Sequence, residues 1–433
     1  MTRARAIAAR APRAVPLPRP GGVPLAAVLP ALRASEPFAR ACWLYDLQAF
    51  ESRARRFLAA FAELDPIVAY ALKANALPAL LDRVRALGLS AEAGSIGELE
   101  IARAAGFPPA ALSLNGNGRT REEADWAARH RVGLVNADHL DELELLERAA
   151  AGASTRLRVA LRINPAIRTP GHRYVATGGR DAKFGVAPRE ALEAWAARAR
   201  WPHLTLDAIH VHVGSQLVEI APLEAALEIA LELAAESARR GARLALVNLG
   251  GGFGVNYGGG AEFPIERWSA RVAKRVRGTP YRWMFEPGRW LIAPAGVLIA
   301  EVLAVKTRGA RRFVVLAAGM NDLLRPALYG ARHRIVPIAP RAGRGSPAIV
   351  VGPVCESADV FGTVSLPPLE AGDVLAVLDV GAYGAAMSSN YNGRGRLAEV
   401  VAVAGRLKRA RAAERPEDLL RGRRSDELPL RSE

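Results

Sequence analysis

From about residue 65 to residue 290 the chain alternates short apolar runs with longer segments of helical period, a pattern that few folds accept. The expected strands are Ile67–Lys73, Ser90–Ala93, Leu112–Gly116, Gly133–Asp138, Arg158–Asn164, Ala208–Gly214, Ala245–Gly252 and Trp283–Arg289. Between them fall helix candidates at Pro78–Leu87, Glu98–Ala105, Glu122–His130, Leu140–Ala150, Arg189–Arg198, Leu223–Arg240 and Ile265–Arg277. A helix returning the chain to the same edge makes neighbouring strands parallel. Repeated units of this kind, over a span near the ~250 residues typical of the fold, predict an α/β chain built on a (β/α)8 TIM-like barrel. A doubly wound sheet is the alternative.

After Trp290 the texture changes to strand-like runs broken by Gly and Pro: Val297–Thr307, Arg312–Ala318, Ala348–Val354, Asp373–Asp379 and Glu399–Val403. These predict a C-terminal, mostly β domain, with Ala41–Asp46 as a further strand that pairs with it. The expected division is a disordered basic arm over 1–22, an N-terminal segment over 23–46 that joins the β domain, the barrel over 47–292, and the β domain over 293–433. The tail from Arg406 to Glu433 mixes charges and reads as partly helical, then frayed.

Composition narrows the function classes. No apolar run approaches the roughly 20 residues of a membrane-spanning helix. Val23–Leu32 imitates the apolar part of a signal peptide, but two prolines and the absence of a small-x-small cleavage site argue against export. Two cysteines far apart, Cys42 and Cys355, cannot build a disulfide framework or a thiolate metal cage, which points to a reducing, cytoplasmic setting. The net charge of +16 is scattered, with clusters mainly in the arm and at Leu407–Arg411, so it reads as a solvated basic surface rather than a nucleic-acid or membrane footprint. It also suits an anionic substrate or cofactor.

Barrel enzymes work at the C-terminal ends of their strands. Here those ends carry Lys73, Arg162, Asn164, His210, His212, Ser215, the Gly250–Gly252 run, Glu286 and Arg289. Singly, each has a bland reading as a solvated strand cap, a flexible turn or a salt bridge. Together they describe a site. Three glycines let backbone approach an anion closely, and Arg289 offers a fork to a phosphate or a substrate carboxylate. Glu286 suits a pyridine nitrogen, because a carboxylate facing that atom keeps it protonated and the ring electron-withdrawing. His212 can lie flat on such a ring, and Ser215 can donate to phosphate. His210 and His212 also allow a metal-dependent barrel hydrolase. That alternative leaves Lys73 and the glycines unexplained, and no metal is expected.

Tyr70–Asn75, His212–Gln216, Gly250–Gly254, Glu286–Arg289, Gly352–Ser357 and Gly381–Tyr383 with Met387–Asn392 together resemble the fold-type III pyridoxal phosphate decarboxylases. The match runs in order from about residue 43 to 420 and is closest to the diaminopimelate-specific group. The resemblance implies that Lys73 holds pyridoxal 5'-phosphate as a Schiff base, with His212 on the ring. It implies that Ser215, Gly250, Gly251, Gly252 and Tyr383 hold the phosphate end, and that Glu286, Pro287, Gly288 and Arg289 complete the cofactor site. Cys355 would return a proton to carbon after CO2 leaves, reaching the site from a second subunit, so a homodimer with interfacial active sites is implied. Arg325 and Tyr329, with Arg289 and Tyr383, would take the substrate, and Glu356 its distal ammonium. A cation and an anion at the far end favour meso-2,6-diaminopimelate, giving L-lysine and CO2 in lysine biosynthesis. A decarboxylase for ornithine, lysine or arginine, and a non-catalytic homologue, are the rivals. Tyr174, Thr177, Gly178 and Lys183–Gly185 also resemble the diaminopimelate group. Pro37–Asp46 and Ala91–Glu98 depart from the usual forms and are expected not to touch the reactive residues.

Overall fold

The computed structural model describes residues 17–167, 179, 182–339 and 341–422. The chain enters through strand β1 (Ala41–Asp46), whose last residue caps the helix Leu47–Ala60: the Asp46 carboxylate accepts from the backbone N–H groups of Gln48 and Ala49, both at 2.9 Å. Eight parallel strands then close a barrel: β2 (Ile67–Ala71), β3 (Ser90–Ala93), β4 (Leu112–Leu114), β5 (Leu134–Ala137), β6 (Leu157–Ile163), β7 (Leu204–Val211), β8 (Leu246–Asn248) and β9 (Arg282–Phe285). Closure comes from β2 pairing with β9, Ile67 opposite Met284. Each expected helix is present, with ends within about two residues of expectation.

The strands end earlier than their apolar patterns suggested. β2 stops at Ala71 and Lys73 lies in the 3₁₀ turn Leu72–Ala74, while β8 is only Leu246–Asn248. At these ends the backbone turns away from the ladder to present functional groups. β7 instead begins earlier, at Leu204, because Leu204 and Leu206 continue the buried alternation.

Side chains on a strand alternate, so residues two apart share a face. Ala69, Leu134, Ala160, Ala208, Leu246 and Met284 form one apolar cluster inside the barrel. Two positions further on, the same strands or their exits carry Ala71, Asn136, Arg162, His210, Asn248 and Glu286. An apolar floor thus supports a polar layer.

Beyond β9 the chain forms β10 (Gly296–Arg308), β11 (Arg311–Leu316), β12 (Ile335–Pro337), β13 (Ser346–Val351), β14 (Val360–Leu366), β15 (Val374–Leu378), β16 (Glu399–Val403) and β17 (Arg406–Arg411). They join β1 in a nine-stranded sheet ordered β14-β13-β11-β10-β1-β16-β17, with β15 pairing β10 and β12. β1 lies antiparallel to β10 and parallel to β16, so the N-terminal strand is built into the C-terminal sheet. The tail departs from expectation: Arg406–Arg411 is a strand paired antiparallel with β16 rather than a helix. A tight turn at Ala404–Gly405 returns the chain onto β16, and the ladder overrides the helical propensity of the Arg-rich run.

The basic arm lies for the most part outside the described residues. Its end, Pro20–Gly22, is a 3₁₀ turn with Pro20 and Gly21 buried; a Cβ on Gly21 would come within 2.8 Å of the Ala402 and Val403 backbone. The signal-like run packs Val23, Leu25, Val28, Leu29 and Leu32 onto Cys42 and Leu44 of β1. No helix among the described residues is long and apolar enough to cross a membrane.

Candidate active site

Lys73, Glu92, Arg162, His212, Glu286 and Tyr383 line one cavity of about 380 Å³ at the C-terminal end of the barrel. Lys73 is enclosed by protein yet keeps 48% of its side-chain surface accessible, because it projects into this space. Its Nζ donates to both carboxylate oxygens of the fully buried Glu92, at 2.9 and 3.1 Å. Burial opposes the charge on Lys73, but Glu92, Tyr383 and Glu286 outweigh it and raise the pKa. Glu92 belongs to the divergent Ala91–Glu98 segment, so the expectation that this segment avoids the reactive residues is corrected. The cause is the pleat of β3, which turns Glu92 inward.

Glu286 follows β9 and is buried among donors. Asn248 Nδ2 donates to it at 2.7 Å, Asn115 at 3.2 Å and Asn136 at 3.3 Å, and His210 Nε2 lies 3.4 Å away. Burial alone would raise its pKa, but His210, Lys73 and Asn248 hold it well below the usual carboxylate range. The group is a stable anion at the base of the cavity. Asn115 also donates to Glu92 at 2.8 Å, so one amide bridges the two carboxylates.

The glycine run is fixed by close packing. A Cβ on Gly251 would lie 2.2 Å from the Glu286 carbonyl oxygen, and one on Gly252 would lie 2.1 Å from that of Gly214. Gly250 and Gly252 also have positive φ, 63° and 93°. Asn248 Oδ1 accepts from Gly250 N at 2.9 Å, tying this loop to the residue that holds Glu286. His212 Nδ1 accepts from Gly251 N at 3.2 Å. Burial, then Arg162 and Lys73, push its pKa well below that of a free imidazole, so the ring is neutral with its proton on Nε2.

Arg289 opens a short helix after Glu286–Gly288. Its Nη2 donates to Ser215 Oγ at 2.9 Å, and its guanidinium lies 4.6 Å from the centre of the Tyr383 ring. Tyr383 has φ of 56°, and its N–H donates to the Ala74 carbonyl at 2.8 Å, which docks the β-domain loop against the Lys73 turn. Ala71 N–H donates to the Pro287 carbonyl at 3.2 Å, and Gly288 packs on Ala71 and Ala74, so the first and last barrel strands meet beneath the site. Arg325 is 4% exposed and donates through Nη1 to Tyr257 Oη at 2.7 Å; Arg289 Nη1 donates to the same oxygen at 2.9 Å. Tyr329 also lines the cavity.

Arg325 does not itself line the cavity, and two further expected participants stand apart. Cys355 and Glu356 are exposed and do not line the cavity of their own chain; Cys355 N–H donates to Asn392 Oδ1 at 2.9 Å. Tyr174, Thr177 and Gly178 lie outside the described residues. Phe184, between Lys183 and Gly185, lines the cavity and stacks on Arg162 at 4.3 Å. Sequence reasoning missed Glu92, Asn115, Asn136, Asn248 and Tyr257. For Asn136 and Asn248 a signal existed, since each stands two residues after a buried leucine on a barrel strand.

The donor set fits pyridoxal phosphate: an accessible amine, a stable carboxylate for a pyridinium, a neutral imidazole and a glycine loop beside Ser215 and Arg289 for a phosphate. Arg289 Nε is buried without a hydrogen-bond partner among the described residues, a free donor that suits an anion. The model for the pyridoxal binding domain of pyridoxal-dependent decarboxylases matches residues 47–293. A diaminopimelate decarboxylase of Zymomonas mobilis is 38% identical over 88% of this chain and 91% of its own length. The solved diaminopimelate decarboxylase of Helicobacter pylori, complexed with L-lysine, is 35% identical, with a TM-score of 0.86 over 90% of this chain and 98% of that one. The one from M. jannaschii, in co-complex with L-lysine, is 32% identical, with a TM-score of 0.84 over 92% and 94%. The chain therefore belongs to the pyridoxal-dependent decarboxylase family, in its diaminopimelate decarboxylase branch.

Proposed function

We propose that this chain converts meso-2,6-diaminopimelate to L-lysine and CO2 with pyridoxal phosphate as cofactor. The observation that carries this reading is the buried pair Arg289 and Arg325 beside the cavity of Lys73 and Glu286. A substrate with a carboxylate at its far end would meet two guanidinium groups. Ornithine has no carboxylate at its far end to meet them.

When bound, the cofactor supplies an electron sink for the pair left by the breaking Cα–CO2 bond. Lys73 would hold it through Nζ, and Glu92 would keep that nitrogen in place when the substrate amine displaces it. Glu286 would hold the proton on the pyridine nitrogen. His212 would support the ring, while Ser215, the Gly250–Gly252 loop and Tyr383 would bind the phosphate end. Arg325 and Tyr329 would orient the distal carboxylate.

Cys355 would donate the proton that replaces CO2 on the carbon, and Glu356 would receive the distal ammonium. Both are exposed in the single chain, which suits their serving the active site of a second copy in a homodimer. A working free thiol fits a reducing compartment such as the cytoplasm. Parallel assays of CO2 release from diaminopimelate, lysine, ornithine and arginine test the reading. Clear preference for diaminopimelate is the expected result; equal or greater activity on a mono-acid overturns it.

A further inference from the structure

Tyr257 was not part of any motif, yet its phenol oxygen accepts from two guanidinium groups, Arg289 Nη1 at 2.9 Å and Arg325 Nη1 at 2.7 Å. The two arginines are 8% and 4% exposed. In each, Nε has no hydrogen-bond partner among the described residues. The Arg325 guanidinium also lies 4.5 Å from the centre of the Tyr257 ring.

Two buried cations this close repel each other. Burial lowers the Arg325 pKa, and the charge of Arg289 lowers it further, whereas Tyr257 opposes both. A hydroxyl has two acceptor lone pairs, and here both are engaged by arginine N–H groups. One oxygen therefore sets the spacing of two cations that would otherwise separate. The tyrosine is itself braced: its ring meets His333 at 5.1 Å in an edge-on contact, and His333 Nδ1 donates to the Leu378 carbonyl at 3.1 Å. The bond fixes that imidazole as the Nδ1–H tautomer, and burial, then Arg325, lowers its pKa to about 3, so it adds no third cation.

We propose that Tyr257 is the positioning residue of the distal-carboxylate pocket, holding Arg289 and Arg325 at the separation that selects an amino acid with a second carboxylate. This rests on the reading of the site as a diaminopimelate decarboxylase. It assigns the specificity to a pair of cations and their shared acceptor rather than to Arg325 alone. Preorganisation of this kind lowers the cost of binding without entering the chemical step.

The test compares holoenzyme with its Tyr257→Phe variant, which keeps the ring against His333 and removes only the oxygen. Two ligands are titrated by calorimetry: L-lysine, which retains the distal carboxylate, and pentane-1,5-diamine, which has none. We expect lysine to weaken about tenfold and the diamine to be unchanged, with KM for diaminopimelate rising about tenfold and kcat within about threefold of the parent. Equal weakening of both ligands, no weakening of either, or loss confined to kcat overturns the proposal. A parent enzyme that binds lysine no better than the diamine overturns it as well. A parent that selects lysine through Tyr257 but releases no CO2 from diaminopimelate instead refutes the proposed function and supports the clamp.

Discussion

At the barrel mouth, polar side chains bond to one another within a single chain, whereas the β domain divides its candidate functional residues between a buried segment and an exposed one. Lys73, Glu92, Asn115, Asn136, Asn248 and Glu286 form a continuous hydrogen-bonded layer. In the β domain, Arg325 is buried and paired with Tyr257, while Cys355 and Glu356 face outward. The difference teaches that the polar layer around Lys73 and Glu286 is built into the barrel, where strand geometry fixes each group, while the β domain adds Tyr383 to the same cavity. The proposed proton donor, Cys355, stands exposed outside the cavity of its own chain, so in that proposal it needs a partner surface to become part of a site.

The largest test of this contrast is Lys73→Ala. Removing the amine should lower kcat/KM by roughly 10⁴-fold and abolish the visible absorbance of cofactor bound through lysine. Retained absorbance with retained activity would break the assignment of the barrel layer. A finer test mixes Lys73→Ala with Cys355→Ala, each inactive alone. Random pairing gives half heterodimers with one intact site each, so activity should recover to roughly a quarter of the parental value if sites are shared between subunits. No recovery despite demonstrated subunit exchange would place Cys355 in its own chain's site, and an active Cys355→Ala homodimer would place it outside catalysis.

The smallest effect concerns a buried acid of the β domain, three residues before Arg325 in sequence. Asp322 is 1% exposed, its Oδ1 lacks a hydrogen-bond partner among the described residues, and burial pushes its pKa up to about 7. Because the folded pKa lies above the unfolded value of 3.8, the folded state binds the extra proton between those pH values. Stability is therefore greatest below about pH 4 for this group and is lost as pH rises towards 7, by on the order of 2 to 4 kcal/mol. Asp322→Asn should flatten that dependence, read as urea midpoints at pH 5 and pH 8. An unchanged slope would show that Asp322 does not titrate in this window.

Most of the barrel was legible because its signal is local. Alternation of period 2 and period 3.6 depends on neighbours in sequence, so strands, helices and their order followed from the pattern. Strand ends were less so: β2 and β8 stop early because their exits serve the cavity, a tertiary demand. Arg406–Arg411 was misread for the same reason, since only the presence of β16 makes a basic run into a strand. In the site, Lys73, His212, Ser215 and Glu286 stood out through their motifs and strand-end positions. Glu92 did not, because a lone acid in a short strand carries no mark of which way it faces.

The sequence by itself determined the barrel, the added β sheet and the choice of candidate reactive groups, because hydrophobic period and residue chemistry are written along the chain. Tertiary structure alone decided which groups meet. It set Glu92 on Lys73, placed three asparagines around Glu286 and put one phenol between two arginines. It also left Cys355 outside the cavity of its own chain. Those outcomes depend on barrel closure and on the docking of the β domain, which bring together residues as distant as Tyr257 and Arg325. Ionisation follows the same rule, because burial and neighbouring charge, not residue type, keep Glu286 charged and His212 neutral.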